Sequence, residues 1–125
     1  MNREIKFRSE HCYTGKWVYG LYVDLIQNIA VIKDKETLEP YPTEFETLCQ
    51  YALTKDMRGK EIYENDIIGL GKELILCRWI GLGFEFRKLH DKRTHINKRV
   101  IERKGTVVGN VYDDEKYREL AKELK

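Results

Sequence analysis

The chain has 125 residues, of which 42% are apolar and 35% charged, and its formal net charge is +2. This size and composition predict one globular domain spanning residues 1–125 and exclude a disordered chain. A membrane span needs roughly 20 apolar residues, and the apolar runs here are far shorter, so we expect none. The N-terminus has no apolar signal-peptide core, which predicts a cytoplasmic protein.

Alternation of apolar and polar residues predicts strands in the first part of the chain. Ile5 and Phe7 alternate with charged side chains, which is typical of a half-buried strand. Apolar positions repeat every second residue over 17–23, and 29–33 predict a short third strand. Residues 34–44 are acidic and contain both prolines, so we expect a loop or an edge strand there.

Glycine-containing turns separate the remaining predicted strands, and only the C-terminus has a helical pattern. The further strands are residues 45–51, 66–70, 73–80, 84–89 and 106–112. The helix pattern consists of Tyr117, Leu120, Ala121 and Leu124. Asp113 or Asp114 is the expected N-cap of this helix. The predicted fold class is therefore mainly β (β-rich α+β), with short antiparallel strands and a C-terminal helix.

Residues that bind metals or cofactors elsewhere occur here without the required spacing. Cys12, Cys49 and Cys77 are widely spaced and form no C-x-x-C pair, so we expect small buried side chains. His90 and His95 lie in a polar stretch far from the cysteines and are expected to be exposed loop histidines. We expect no metal site, no cofactor and no disulfide.

Two further motifs have a chemical and a structural interpretation. The run GLGK at 69–72 lacks the flanking glycine and hydroxyl of a phosphate-binding loop, which predicts a turn. Glu61, Glu64 and Asp66 cluster around a turn, where Asp66 can accept backbone hydrogen bonds beside a left-handed Asn65. The alternative is an enzyme acting on nucleotides or phosphoesters, which requires these carboxylates in a cleft. We expect a non-catalytic protein.

Residues 87–104, here called the basic segment, are the most distinctive by charge. They contain eight basic and two acidic residues, a net +6, so the rest of the chain sums to −4. Such a segment attracts phosphates, or it is solvated, or it pairs with the acidic residues 34–46 of a neighbouring copy. The candidate nucleic-acid-binding residues are Arg87, Lys88, Lys92, Arg93, Lys98 and Arg99. Nearby Trp79, Phe84 and Phe86 have strand periodicity, which favours core packing over base stacking.

Three stretches resemble the YopX family of small phage and prophage proteins. Residues 50–68 read QYALTKDMRGKEIYENDII, similar to the family's QYTGL run followed by KDNGKEIYEGDIV; we name them the central box. Residues 108–114 read VGNVYDD, similar to IGNIYEN, and residues 5–8 resemble the family's start. In the central box, ALT replaces TGL, which puts the preceding turn in doubt, and Asn65 stands where glycine is usual.

The resemblance implies a β-rich fold containing a small SH3-like barrel, a bacterial host, and no established activity, cofactor or functional residue. The favoured hypothesis is a non-catalytic accessory protein that binds another protein or a second copy of itself, forming a homo-oligomer. The low net charge and the lack of a nucleic-acid motif favour this partner slightly. Nucleic acid, bound by the basic segment, is the alternative partner, and no membrane is expected.

Overall fold

The computed structural model describes residues 5–91 and 93–122, and these are mostly antiparallel strands. The strands are β1 (Phe7–Glu10), β2 (Trp17–Ile26), β3 (Ile29–Asp34), β4 (Pro40–Glu44), β5 (Cys49–Lys55), β6 (Glu61–Tyr63), β7 (Asp66–Leu70), β8 (Glu73–Ile80), β9 (Gly83–Lys88) and β10 (Thr106–Asn110). The helices are α1 (Lys98–Lys104) and α2 (Glu115–Lys122). The predicted mainly β class with a C-terminal helix is confirmed.

The chain forms two compact units, residues 1–51 and 52–125, each described by itself below. In unit 1 the strand order is β4-β3-β2-β1-β5. β5 continues into unit 2, where its residues 52–55 are followed in the strand order by β6. A second sheet in unit 2 has the order β10-β7-β8-β9. These pairings among the described residues close neither sheet, so the SH3-like barrel stays a prediction. The single-domain assignment stays a prediction as well.

The first strand of unit 1 buries a charged residue that the alternation pattern assigned to solvent. Phe7 is half-buried as predicted, but Ile5 is 52% exposed and Arg8 is only 4% exposed, so the predicted exposure of Arg8 was wrong. The Arg8 guanidinium lies 4.5 Å from the centre of the Trp17 ring. A cation stacked on an aromatic face tolerates burial better than a bare charge, which explains the reversal.

The hairpin of β2 and β3 forms the centre of unit 1. Ala30 and Ile32 are fully buried, and a Cβ on Gly20 would collide with the Lys33 carbonyl, so only glycine fits there. The buried Thr43 hydroxyl donates to the Ala30 carbonyl at 2.6 Å, which fixes β4 against β3. Because β4 contains both prolines and ends the strand order, the predicted edge strand is confirmed.

The strand predicted over residues 45–51 begins later than expected. Phe45–Thr47 form a 3-10 turn, and β5 starts only at Cys49. The Thr47 hydroxyl accepts from the Glu10 backbone N–H at 2.9 Å and lies 3.1 Å from the Ser9 hydroxyl. These contacts join residues distant in sequence, which explains why local alternation did not reveal the turn.

The core of unit 2 lies between its sheet strands and α1. Ile62, Ile68, Ile75, Cys77 and Ile101 are fully buried in one cluster. A second cluster surrounds Tyr117 of α2. The predicted burial of Cys49 and Cys77 is confirmed, while Cys12 is partly exposed, so its predicted burial was only partial. Cys12, Cys49 and Cys77 are not joined by disulfides.

The central box begins with residues 50–55 of β5 and continues as turn, strand, turn, strand, and its buried aspartates accept hydrogen bonds from backbone N–H groups. Asp56, 5% exposed, accepts from the N–H groups of Arg58 and Lys60 through Oδ1 and from Val107 through Oδ2, each at 2.9 Å. Burial alone raises the pKa of the Asp56 carboxyl, but these three donors together hold it below its usual value.

The second family stretch packs against the central box. Asn65 has a φ of 71°, as the sequence predicted, and its amide donates to the Tyr112 hydroxyl at 2.9 Å. Asp114 caps α2 by accepting from the Lys116 N–H at 3.0 Å, which confirms one of the two expected caps. Tyr117 packs on Gly109, where a Cβ would lie 2.7 Å from its ring. Leu124 of the predicted helix face lies outside the described residues.

Candidate functional site

The basic segment begins as an ordered extension of β9. The Lys88 N–H donates to the Thr94 carbonyl at 3.0 Å, and the Ile96 N–H donates to the Phe86 carbonyl at 2.7 Å. Arg87 and His95 pair as an isolated antiparallel bridge. Backbone hydrogen bonds therefore join residues 86–88 to residues 94–96.

A tight turn connects the two sides of this extension. Asp91 accepts from the Thr94 hydroxyl at 2.5 Å and from the Arg93 N–H at 3.1 Å. These donors, first the Thr94 hydroxyl, hold the pKa of the exposed Asp91 carboxyl below its usual value. Arg93 is exposed at this turn. Lys92, one of the predicted binding residues, lies outside the described residues.

The second half of the basic segment is the helix α1, which the sequence analysis missed. Asn97 caps its start by accepting from the Arg99 N–H at 2.8 Å, and the Gly105 N–H donates to the Ile101 carbonyl at 2.9 Å. Apolar periodicity was absent because Ile101 is its only buried residue. The pair of Asn97 and Gly105 bracketing seven residues was the available signal.

The helix α1 is anchored by one buried residue, and exposed cations surround that anchor. Ile101 is fully buried, and Glu102 accepts from the Thr54 hydroxyl at 2.8 Å. The exposed cations are Lys98, Arg99, Arg103 and Lys104. None of the four side chains bonds or pairs with any other part of the chain that the structure describes. At 100° per residue, Arg99 and Arg103 project from the side opposite Ile101, while Lys98 and Lys104 lie about 60° to either side of Ile101. We name these four residues the cationic helix face.

The other predicted binding residues are less available to a partner. The Arg87 guanidinium pairs with the Glu85 carboxylate at 2.9 Å, and its side chain is 19% exposed. Lys88 is half-buried. The structure therefore brings Lys98 and Arg99 together with Arg103 and Lys104, which were not among the predicted binding residues, and it places Arg87 in an internal ion pair.

The acidic cluster of the central box is part of a turn. Asp66 is 1% exposed and accepts from the Tyr63 N–H at 2.8 Å, while the Tyr63 hydroxyl donates to Glu61 at 3.1 Å. Glu64 is half-buried at the turn. The Asp66 contact is the one that the structural interpretation predicts, because this carboxylate accepts from a backbone N–H of the turn. Gly71 has a φ of 62° in the β7–β8 turn, so the turn predicted for residues 69–72 is confirmed.

Both histidines of the basic segment are exposed, as predicted. Within residues 5–91 and 93–122, no group of three or more His, Cys, Asp or Glu side chains is placed to hold a metal ion. In the same described part of the chain, no helix has the length and apolar character needed to cross a membrane.

Unit 1 has an exposed apolar surface on the β2–β3 hairpin. Leu21, Ile26 and Ile29 are 53%, 54% and 38% exposed. The pairings Leu21–Lys33 and Ile26–Ile29 place them with Val31 on the face opposite the buried Ala30 and Ile32. We name these four residues the apolar sheet face. Clusters of exposed apolar side chains often mark protein interaction sites.

The fold and the site together define a small, mainly β protein whose most distinctive surface is the cationic helix face. The family model described as YopX protein matches residues 6–117, nearly the whole chain. The chain therefore belongs to the YopX family, which confirms the resemblance found in the sequence. No curated protein matches it.

Proposed function

We propose that this YopX-family chain is a non-catalytic binding module and that nucleic acid is its partner, bound through the cationic helix face. The observation that supports this is the set of four exposed cations on α1 without intramolecular counterions among the described residues. Unpaired cations on a rigid element retain their full attraction for phosphate, and their release of counterions drives binding. The same groups would contribute little to binding a neutral protein surface.

The arrangement of α1 separates folding from binding. Ile101 and Glu102 contact the rest of unit 2, so Arg99 and Arg103 can bind phosphates without disturbing the core. Sequence-independent contacts of this kind position a strand or a duplex and make affinity strongly salt-dependent. We propose a phage or prophage setting for this module, in the cytoplasm of a bacterial host, and the YopX resemblance found in the sequence supports that setting.

Charge reversal on α1 tests the proposal. Fluorescence anisotropy with labelled DNA, single-stranded and duplex, compares the wild type with Arg99→Glu/Arg103→Glu. Lys16→Glu/Lys72→Glu is the matched control, because it makes the same charge change at two exposed turn lysines. We expect the α1 variant to lose at least about tenfold in affinity at low salt, and its salt slope to fall by about two.

The control should retain most of the wild-type affinity and slope. Equal losses in both double variants would show a general charge effect and contradict a localised interface. Failure of the wild type to bind any DNA or RNA at low salt would refute the proposal. Circular dichroism of each variant verifies that the helices and strands are retained.

A second candidate function is self-association through the apolar sheet face. Residues 34–46 of the same unit carry five carboxylates and one lysine, a charge opposite to that of the basic segment. A second copy of the chain therefore offers both an apolar face and a complementary charge. Light scattering should then give a mass above that of one chain, and Leu21→Glu/Ile26→Glu should restore the monomer. A monomeric wild type at high concentration would contradict this candidate.

A further inference from the structure

The hairpin of β8 and β9 exposes a tryptophan ring in unit 2. Trp79, the last residue but one of β8, is 46% exposed, and its ring centre lies 4.9 Å from that of Phe84 on β9. The two residues are cross-strand partners, and their ring planes meet at 82°, edge to face. This contact supports the indole while almost half of its surface meets solvent, so the exposed ring is held in place before a ligand binds.

A concavity connects this aromatic pair with the cationic helix face. Phe84 and Lys98 both line it, and its volume is about 320 Å³. Most of the other lining residues are apolar, including Phe86 and Ile96. Because Lys98 is the first residue of α1, the aromatic pair and the cationic helix face are neighbours on the surface of unit 2, and one extended ligand can contact both.

The carboxylate of β9 lies on the other side of the strand. Side chains alternate along a strand, so Glu85 faces away from Phe84. On that opposite face its carboxylate accepts from Arg78 Nε at 2.7 Å and from the Arg87 terminal nitrogen at 2.9 Å. The face that carries Trp79 therefore lacks this carboxylate, which would repel a chain of phosphates.

The two neighbouring features restrict the class of ligand. An exposed aromatic ring stacks on flat rings, and the four cations of α1 attract a chain of anionic groups. A single-stranded nucleic acid carries both, because its bases are unpaired and its phosphates are regularly spaced. A duplex offers the phosphates, but the faces of its bases are already stacked on one another.

We propose that Trp79, supported by Phe84, stacks on a base of a single strand whose phosphates continue along the cationic helix face. The inference rests on the proposed function and adds a preference for single strands. Every base has a flat face, so stacking at this site tolerates different sequences. Base stacking is one of the two interpretations that the sequence leaves open for this tryptophan, and its exposure favours stacking over core packing.

Anisotropy titrations with oligo(dT), oligo(dC) and a duplex of equal length test the stacking site. Trp79→Leu should lower the ratio of single-strand to duplex affinity by about fivefold or more, because one stacked base loses its partner. Trp79→Phe keeps an aromatic ring and should retain most of that ratio. Stacking releases no counterions, so Trp79→Leu should keep the salt slope of the wild type, unlike the charge reversal on α1. Both oligonucleotides should give the same result.

Tyr13→Leu is the matched control, because it removes an aromatic ring that is 85% exposed in unit 1. It should leave the ratio of single-strand to duplex affinity unchanged. Indole fluorescence gives a second measurement, since single strands should quench the wild type more than a duplex does. Trp79→Phe should lose this difference, because the remaining tryptophan, Trp17, has the Arg8 guanidinium 4.5 Å from its ring centre.

The outcomes separate this inference from the proposed function. An unchanged affinity ratio in Trp79→Leu, with binding of duplex retained, would overturn the stacking site and leave the cationic helix face as the interface. No binding of any nucleic acid by the wild type would overturn both. Thermal unfolding monitored by circular dichroism identifies an unfolded variant, and the quenching of Trp79→Phe decides the matter where Trp79→Leu does not fold.

Vesicles of phosphatidylcholine and phosphatidylserine test a membrane as the rival occupant of the hairpin. Leu82 is 99% exposed between β8 and β9, where an apolar side chain could enter a lipid surface. The stacking site predicts no vesicle binding that depends on Leu82. Vesicle binding that Leu82→Ser removes, together with an unchanged affinity ratio in Trp79→Leu, would overturn the proposal and assign the hairpin to a membrane.

Discussion

The central box and the basic segment both contain charged residues and turns, but the charged side chains are hydrogen-bonded in the first and exposed to solvent in the second. In the central box, Asp56 and Asp66 accept from nearby backbone N–H groups, so their charge is used inside the unit. In the basic segment, Arg99 and Arg103 meet solvent on the side of α1 away from Ile101. The buried charges of the central box therefore stabilise the fold, whereas the candidate interface lies outside that box.

Removing the Asp56 carboxylate should have the largest effect on stability. Asp56→Ala leaves the N–H groups of Arg58, Lys60 and Val107 without their acceptor and should lower the free energy of unfolding by about 3 kcal/mol. Asp56→Asn keeps one acceptor oxygen and should lose about half as much. Urea denaturation measures both. A change below about 0.5 kcal/mol in each variant would show that these bonds contribute little.

The Asp56 contribution should also depend on pH. Because the folded pKa of this carboxyl is depressed, its stabilisation is fully present above the unfolded pKa of about 3.9 and is lost as the pH falls through the lower folded value. The difference in unfolding free energy between the wild type and Asp56→Asn should therefore shrink in acid. A constant difference between pH 7 and the acid limit would contradict the assigned role of the charge.

Gly109→Ala should have the next largest effect, because its Cβ would lie 2.7 Å from a ring carbon of Tyr117. The overlap should cost about 2 kcal/mol as α2 shifts away from β10. Gly83→Ala is the matched control, since its Cβ would meet no atom within 4 Å. Thermal unfolding of the two variants gives the comparison. Equal behaviour would mean that α2 accommodates the methyl group freely.

Leu53→Gly should change stability by less and in the opposite direction. Leu53 has a φ of 62°, which costs an L-residue about 1–2 kcal/mol, while glycine loses about 0.5–1 kcal/mol of chain entropy. We expect a net gain of about 0.5 kcal/mol in the free energy of unfolding. Leu21→Gly, at an exposed leucine without a positive φ, should lose stability instead. A loss at both positions would show that the Leu53 backbone is unstrained.

The smallest effect is expected in the basic segment. Arg99 and Arg103 are like charges four residues apart on α1, so Arg103→Ala should raise the free energy of unfolding by about 0.3 kcal/mol. The same variant should weaken nucleic-acid binding. High salt should abolish the gain, because it screens the repulsion. A loss of stability at low salt would instead assign Arg103 to the fold, like the residues of the central box.

The ends of a strand could be predicted from the local sequence where an apolar run is bounded by a glycine-containing turn. β7 and β8 begin and end at the predicted residues, Asp66–Leu70 and Glu73–Ile80. Phe86 is buried as predicted, but Trp79 is 46% exposed, so its predicted core packing was wrong. β8 is central in its sheet, yet its last residues extend beyond the core, and alternation carries no information on where a core ends.

The mainly β class, most strand positions, the left-handed Asn65 and the family could all be predicted from the sequence. These follow from short-range sterics and hydrogen bonding, which act between neighbours in the chain. Three features could not be predicted from the sequence. Arg8 is buried on Trp17, and Glu85 forms an ion pair with Arg87. Lys98–Lys104 form a helix that is exposed except at Ile101. The availability of a charge depends on which groups surround it in space, and sequence spacing does not specify those neighbours.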